Sequence, residues 1–199
     1  MIDADTPLLL GSASPRRREL LADLGIPVRV RPASVDESVA PGEGAAAYLH
    51  RVVDAKLAAV GAEATADVGG LLVADTSVVV DDEILGKPAD AREAAEMLRR
   101  LVGRAHVVMT RYAIARPGPE RVSARTVETR VVMRGASADE IARYAATGEG
   151  FDKAGGYAIQ GIGAFLVERI EGSYSNVVGL PQCEVVRDLL DAGLLHGFP

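Results

Sequence analysis

Three consecutive arginines, Arg16, Arg17 and Arg18, stand behind Ser12, Ser14 and Pro15 in the stretch GSASPRRREL. The pattern reads as a helix start, with Ser14 suited to the N-cap and Pro15 to the first helical position. Cations in that first turn oppose the helix dipole, at a cost on the order of a few tenths of a kcal/mol each. The arrangement becomes favourable once an anion arrives. Helix-start N–H groups after a strand bind phosphate, and guanidinium forks match its oxygens. A solvated basic patch behind an ordinary cap is the plainer alternative. The Gly-x-x-x-x-Gly-Lys pattern of a P-loop is absent.

Carboxylates and lysines supply the rest of the possible chemistry. Asp75, in LLVADTSVVV, reads as an ionisable group at the end of an apolar strand, where α/β folds display functional side chains. It could bind Mg2+, act as a base toward water, or simply cap the following turn. Thr76 beside it is a polar contact or a strand residue. Glu37, in VDES, could pair with Asp75 to hold a divalent ion, or be solvated. Lys56 interrupts an apolar helical stripe and either snorkels or faces phosphate; Lys87 sits in a turn between Gly86 and Pro88. Gln160, in DKAGGYAIQG, carries both donor and acceptor groups and could read a base edge, while Tyr157 could simply pack. His50, His106 and His196 have no metal-ligand spacing, and Cys183 reads as an apolar-side residue of the last helix. There is no Gly-x-Ser-x-Gly elbow.

The elements that must position these residues follow from pattern. PLLLG is a buried strand; the arginine helix carries Leu20, Leu21 and Leu24 and stops at Gly25. Alternation in PVRVRPAS predicts a half-exposed strand, and residues 43–60 a helix. GGLLVADTSVVV reads as a buried strand, DEILGKPAD as a turn-rich loop, and Asp90 with Glu93 as a capping box. Two β-rich runs around PGPE predict a long hairpin. Ser137 and Glu140 cap a further helix that stops at Gly148. GEGFDKAGGYAIQGIGAF reads as an irregular loop that could hold a short strand, FLVERI as a strand, EGSYSNVVGLP as a second loop, and residues 182–192 as a closing helix. Alternating strands and helices plus a hairpin predict an α/β fold with a mixed sheet.

The 199 residues suffice for one sizeable core. A net charge of −6 argues against binding nucleic acid polymer through a general basic face. One cysteine excludes an intramolecular disulfide and a cysteine metal cluster. No apolar run reaches the roughly 20 residues that span a bilayer, and MIDADTPLLLG lacks the basic start of a signal peptide. The expectation is a cytoplasmic protein, neither membrane-bound nor bound to nucleic acid.

Together LLLGSASPRRRELLADLGI, VDES, DAKLAAV, VADTSVVVDDEILGKP, GFDKAGGYAIQG and IEGSYSNVVGLP resemble the Maf family of nucleoside triphosphate pyrophosphatases in order and spacing, across nearly the whole chain. The resemblance implies a single domain over 1–199, with an elongated sheet flanked by helices and two lobes around a cleft. It also implies kinship to inosine triphosphate pyrophosphatases, a homodimer, and a divalent cation such as Mg2+ or Mn2+. The implied reaction cleaves a nucleoside triphosphate to the monophosphate and pyrophosphate, in a house-cleaning role. Residue by residue it implies phosphate and substrate contacts at Ser12, Ser14, Arg16 and Arg17, an acid at Glu37, the helix lysine Lys56, the proton acceptor Asp75 and the Gly-Lys-Pro lysine Lys87. Asp75 and Glu37 would hold the metal. Arg17, Thr76 and Gln160 match the specificity positions of the subfamily acting on dTTP and UTP. Arg18 falls outside the core motif, and Gly11 and Ala158 depart from the family's commoner alanine and glycine. The family's link to septum formation leaves a second reading, a nucleotide-binding regulator of cell division acting by protein contact with weak hydrolysis.

Overall fold

A computed structural model describes residues 1–118 and 120–198. The sheet is mixed, with strand order β2 (Val28–Val30), β1 (Leu8–Leu10), β3 (Gly70–Val80), β5 (Ala105–Ala115), β6 (Arg121–Met133), β7 (Val167–Glu171), and with β4 (Glu83–Leu85) paired to β3. Helices flank it, as the alternating pattern requires. The chain divides into two compact units, residues 1–75, 110–127 and 179–199, and residues 76–109 and 128–178.

In the first unit, β1 (Leu8–Leu10) lies parallel to both β2 (Val28–Val30) and β3 (Gly70–Val80), with Leu8 opposite Val28 and Gly70. A central parallel strand is covered on both faces, which explains its unbroken Leu-Leu-Leu. Helix α1 (Pro15–Asp23) buries Leu20 and Leu21 and ends before Gly25, whose φ is 69°. Helix α2 (Ala45–Ala62) places Val53 and Val60 in a core with Leu9, Leu71, Val73 and Ala113. The closing helix α6 (Gln182–Asp191) buries Val185, Asp188 and Leu189. Its buried Asp188 carboxylate accepts from the Tyr112 hydroxyl at 2.8 Å and pairs with Arg125 at 2.7 Å. Cys183 is exposed, contrary to the apolar-side expectation. It precedes Val185 by two residues, and two positions along a helix turn a side chain about 200° away.

In the second unit, β4 (Glu83–Leu85), α3 (Ala91–Leu101) and α4 (Ala138–Ala146) enclose a core that includes Val78, Leu98, Val108, Met133 and Tyr144. Strand β4 corrects the expectation of a plain loop: Val80 pairs with Glu83 across Asp81 and Asp82. Both aspartates take positive φ (52° and 60°), as tight two-residue hairpins demand. Ser137 and Glu140 form the expected capping box. At α3, Asp90 accepts from the Glu93 N–H at 2.8 Å, but the Glu93 carboxylate reaches Ala89 N–H rather than closing a box on Asp90.

Strands β5 (Ala105–Ala115) and β6 (Arg121–Met133) form the long hairpin. The Arg116 N–H bonds Glu120 at one end and the Met133 N–H bonds Arg104 at the other. Of the PGPE turn, Pro119 lies outside the described residues. Residues 154–156 and 162–166 form short 3-10 turns in place of the short strand that the first glycine loop could have held. Strand β7 (Val167–Glu171) pairs antiparallel with β6. The second loop contains a five-residue helix, α5 (Tyr174–Val178), started by the Ser173 hydroxyl accepting from Asn176 N–H. A serine cap outweighs loop-like composition there.

Candidate active site

Asp75 stands in the middle of β3, not at its end, because the strand runs on to Val80. Its side chain is only 12% exposed, and a carboxylate there would be costly without a partner. Lys56 provides one: its Nζ donates to Asp75 Oδ1 at 2.7 Å and meets Glu37 Oε1 at 2.7 Å. The lysine is itself buried, so it neither snorkels to solvent nor stands apart. One ammonium thus draws two carboxylates together from the strand and from the segment after β2. Glu37 keeps about half of its exposure and faces water as well as the lysine.

The opening motif is built differently from its first appearance. Ser14 occupies the N-cap with extended backbone, but its side chain makes no cap hydrogen bond. The turn is closed instead by Ser12, whose buried Oγ accepts from Ser14 N–H at 3.2 Å and from Arg17 Nη1 at 2.9 Å. Arg17 also donates from Nη1 to the Ala74 carbonyl (2.9 Å) and from Nε to the Gly179 carbonyl (2.8 Å). Of the three arginines one is therefore buried, with its charge one residue from Asp75 along the strand. Burial lowers the Arg17 pKa from its ordinary value, while the charges of Asp75 and Glu37 oppose that shift. Arg16 is half-exposed and Arg18 exposed. Ser12, Arg17, Glu37, Lys56 and Asp75 are brought together within the first unit.

Thr76, Lys87 and Gln160 belong to the second unit. Thr76 follows Asp75 along β3 and is half-buried. Lys87 is exposed after β4, and the adjacent Gly86 carbonyl accepts from Gly155 N–H at 3.0 Å. That bond ties the Gly-Lys-Pro turn to the glycine loop that carries Gln160. Gln160 itself is exposed. Tyr157 packs, as read from the sequence, with its hydroxyl 2.7 Å from His106 Nε2. Burial pushes the His106 pKa down to about 4, which leaves a neutral ring.

Pattern reading missed the residues that hold Glu37. The Tyr48 hydroxyl donates to the Glu37 carbonyl at 3.1 Å. Burial first, then the Asp75 and Glu37 charges, push this phenol's pKa up. The Arg51 guanidinium lies 5.6 Å from the Tyr48 ring centre. It grips both Glu43 oxygens at 2.7 Å and donates to the Ser38 carbonyl at 2.8 Å and the Asp36 carbonyl at 3.3 Å. Hydrogen bonding to Arg51 lowers the Glu43 pKa to about 2. A signal was present: Tyr48, Val52 and Lys56 follow the i, i+4, i+8 spacing of one helix face. Arg51→Ala is expected to release the 36–43 segment, because the Asp36 and Ser38 carbonyls and the Glu43 carboxylate lose their shared donor. Faster amide hydrogen exchange at Ser38 and Ala40 checks this, with a melting curve to confirm the fold. Unchanged exchange there would deny Arg51 that role.

Two carboxylates sharing one ammonium, beside a helix start with a buried arginine, set acceptors and cationic donors side by side. Among the described residues no group of three or more His, Cys, Asp or Glu side chains is arranged to hold a metal ion by itself. None of their helices is long and apolar enough to cross a membrane. A dTTP/UTP pyrophosphatase of Anaeromyxobacter sp. (strain Fw109-5) is 50% identical over 196 residues, covering 96% of this chain and 91% of that one. One from Myxococcus xanthus (strain DK1622) is 50% identical over 95% and 94% of the two chains. One from Geobacter metallireducens is 47% identical over 94% and 97%. Residues 7–192 match the family described as Maf-like protein, and with relatives this similar over nearly its whole length the chain belongs to that family.

Proposed function

We propose that this protein is a nucleoside triphosphate pyrophosphatase that hydrolyses dTTP and UTP to the monophosphate and pyrophosphate. The observation that carries the reading is the buried Lys56 ammonium, 2.7 Å from the buried Asp75 and 2.7 Å from the half-exposed Glu37, next to the buried Arg17. Relatives about half identical over nearly the full chain bear the corresponding name.

In this reading Asp75 accepts the proton of the attacking water. A carboxylate suits that role because it offers a basic oxygen that Lys56 holds in one geometry. Lys56 also screens the repulsion between Asp75 and Glu37 and the incoming phosphates. Ser12, Ser14, the α1 N-terminus, Arg16 and Arg17 supply donors and positive potential to the triphosphate, and Lys87 adds a further cation for the leaving pyrophosphate. Phosphoryl chemistry asks mostly for this kind of positioning and charge. A divalent cation fits the donor set. Mg2+ is commonly held by one or two carboxylates together with substrate phosphates, and Asp75 and Glu37 would be those carboxylates. When bound it would supply charge neutralisation on the phosphates.

Base choice falls to Gln160, with Arg17 and Thr76 at the other specificity positions. Uracil and thymine present an N3–H between two carbonyls, so one side-chain amide can donate and accept along that edge. Cytosine reverses part of the pattern. A mispaired polar group costs about 1–3 kcal/mol, or roughly ten- to a hundredfold in selection. The reading extends, on family resemblance, to a cytoplasmic homodimer.

Incubation with dTTP or UTP and Mg2+, followed by product separation, tests the activity. Monophosphate and pyrophosphate in equal amounts are expected. Orthophosphate released first, with a nucleoside diphosphate left behind, would overturn the mechanism; absence of turnover would favour a binding protein that acts through contact.

A further inference from the structure

Gln160 is exposed and lies between two 3-10 turns, yet the backbone on both sides of it is pinned. Upstream, Ala158 N–H donates to the Tyr144 hydroxyl oxygen at 3.0 Å. Downstream, Ile162 N–H and Gly163 N–H donate to the two carboxylate oxygens of Glu149, Oε1 and Oε2, at 2.8 Å each. The Tyr144 hydroxyl donates to Glu149 Oε2 at 2.9 Å, so the two anchors form one piece.

That piece is itself fixed. Tyr144 is buried in the last turn of α4 and packs into the second unit's core. Glu149 follows the end of the same helix. Its N–H donates to the Thr147 hydroxyl at 3.2 Å, and its carbonyl accepts from Lys153 Nζ at 2.7 Å. Burial would raise the Glu149 pKa, but the Gly163 and Ile162 N–H groups and the Tyr144 hydroxyl outweigh it and hold the carboxyl below its usual range.

The glycines of the QGIG segment fit the same arrangement. Gly161 has φ 112°, and a Cβ there would stand 2.4 Å from Glu149 Oε1. A Cβ on Gly163 would stand 2.4 Å from the Tyr144 hydroxyl oxygen and 2.5 Å from the Ala158 carbonyl oxygen. The backbone therefore approaches the anchors as closely as glycine alone permits.

We propose that Glu149 and Tyr144 are specificity-positioning residues, which lock the backbone of residues 158–163 so that the Gln160 amide meets the base in a single orientation. The proposal rests on reading Gln160 as the base reader. Its physical ground is the symmetry of the amide. One end donates and the other accepts, so a mobile glutamine could turn to match either uracil or cytosine. Discrimination requires the amide to reach the base edge from one fixed place, and the anchors on residues 158, 162 and 163 hold the backbone from which it reaches.

The test compares kcat/KM for UTP and CTP, by pyrophosphate release, in the wild type, Glu149→Gln, Tyr144→Phe, Gln160→Ala and the Glu149→Gln/Gln160→Ala double variant. Glu149→Gln is expected to lower the UTP-to-CTP ratio roughly tenfold, the scale typical of outer-shell positioning groups. Tyr144→Phe is expected to move it the same way. The double variant should match Gln160→Ala alone, and the Ile162 and Gly163 amides should exchange with solvent faster in Glu149→Gln. If Gln160→Ala loses the pyrimidine selection while Glu149→Gln and Tyr144→Phe keep it, the positioning role is wrong and the base reader stands. If Gln160→Ala keeps the full ratio, the base-reader assignment falls and takes the proposal with it. Should Glu149→Gln fail to fold, Tyr144→Phe, which removes one oxygen from the anchor, decides.

Discussion

Asp75→Asn is expected to lose roughly 10²–10⁴-fold in kcat with dTTP or UTP at saturating Mg2+, the usual contribution of a positioned general base. The substitution keeps the side chain's shape, and its amide oxygen can still accept from Lys56 Nζ, now at 2.7 Å from Asp75 Oδ1. It cannot take a proton from water, and it is a weaker ligand for a hard cation. The Lys56 ammonium keeps Glu37 as a charged partner, so the fold is expected to survive and the loss to appear in turnover rather than in the melting curve. Steady-state kinetics and a thermal melt on the same preparation separate the two. A near-normal kcat would remove Asp75 from the chemical step and leave it a structural ion-pair partner.

Lys56→Met is expected to lose stability as well as activity: it should destabilise the protein by about 3–5 kcal/mol, the usual cost of removing one partner from a buried pair. The damage lies on the Asp75 side, where the side chain is 12% exposed, because that carboxylate is left in the core without a cation. The Glu37 side contributes little, about 0–1 kcal/mol, since 45% of that side chain is exposed and water can replace the ammonium. For a chain of this length the change corresponds to a Tm lower by roughly 10 °C. Urea unfolding measures it directly. The charge origin has its own check: Lys56→Met combined with Asp75→Leu removes both partners and should recover much of the loss, because an apolar pair of similar volume can replace a buried ion pair at little net cost. A double variant no more stable than Lys56→Met would assign the effect to packing around the lysine stem.

These two expectations concern residues 19 positions apart in the chain, and that separation marks how far the sequence could be read. Local physics was legible. An unbroken apolar run gave β1, proline behind serine gave the start of α1, and Ser137 with Glu140 gave the start of α4, because strand burial, φ restriction and capping act over a few residues. The residue types of the site were legible too, since charges placed against local preference stand out from a helix start or an apolar strand. What they do to one another was not.

Only the tertiary structure decided that Lys56 binds both carboxylates, and that Arg17 rather than its neighbours turns inward to the carbonyls of Ala74 and of Gly179, 162 residues away in sequence. It supplied the partner for the far half of β3, where Val78–Val80 pair with β4 beyond Asp75. The roles of Tyr48, Arg51, Tyr144 and Glu149 emerged only there as well. Each works by satisfying backbone groups of an irregular segment, and such segments leave no periodic trace in the sequence. Periodicity reports which face of an element is apolar. Which distant carbonyl, carboxylate or ammonium a buried polar group meets is set by how the elements pack, since a buried charge or N–H must find its partner wherever the fold brings one within reach.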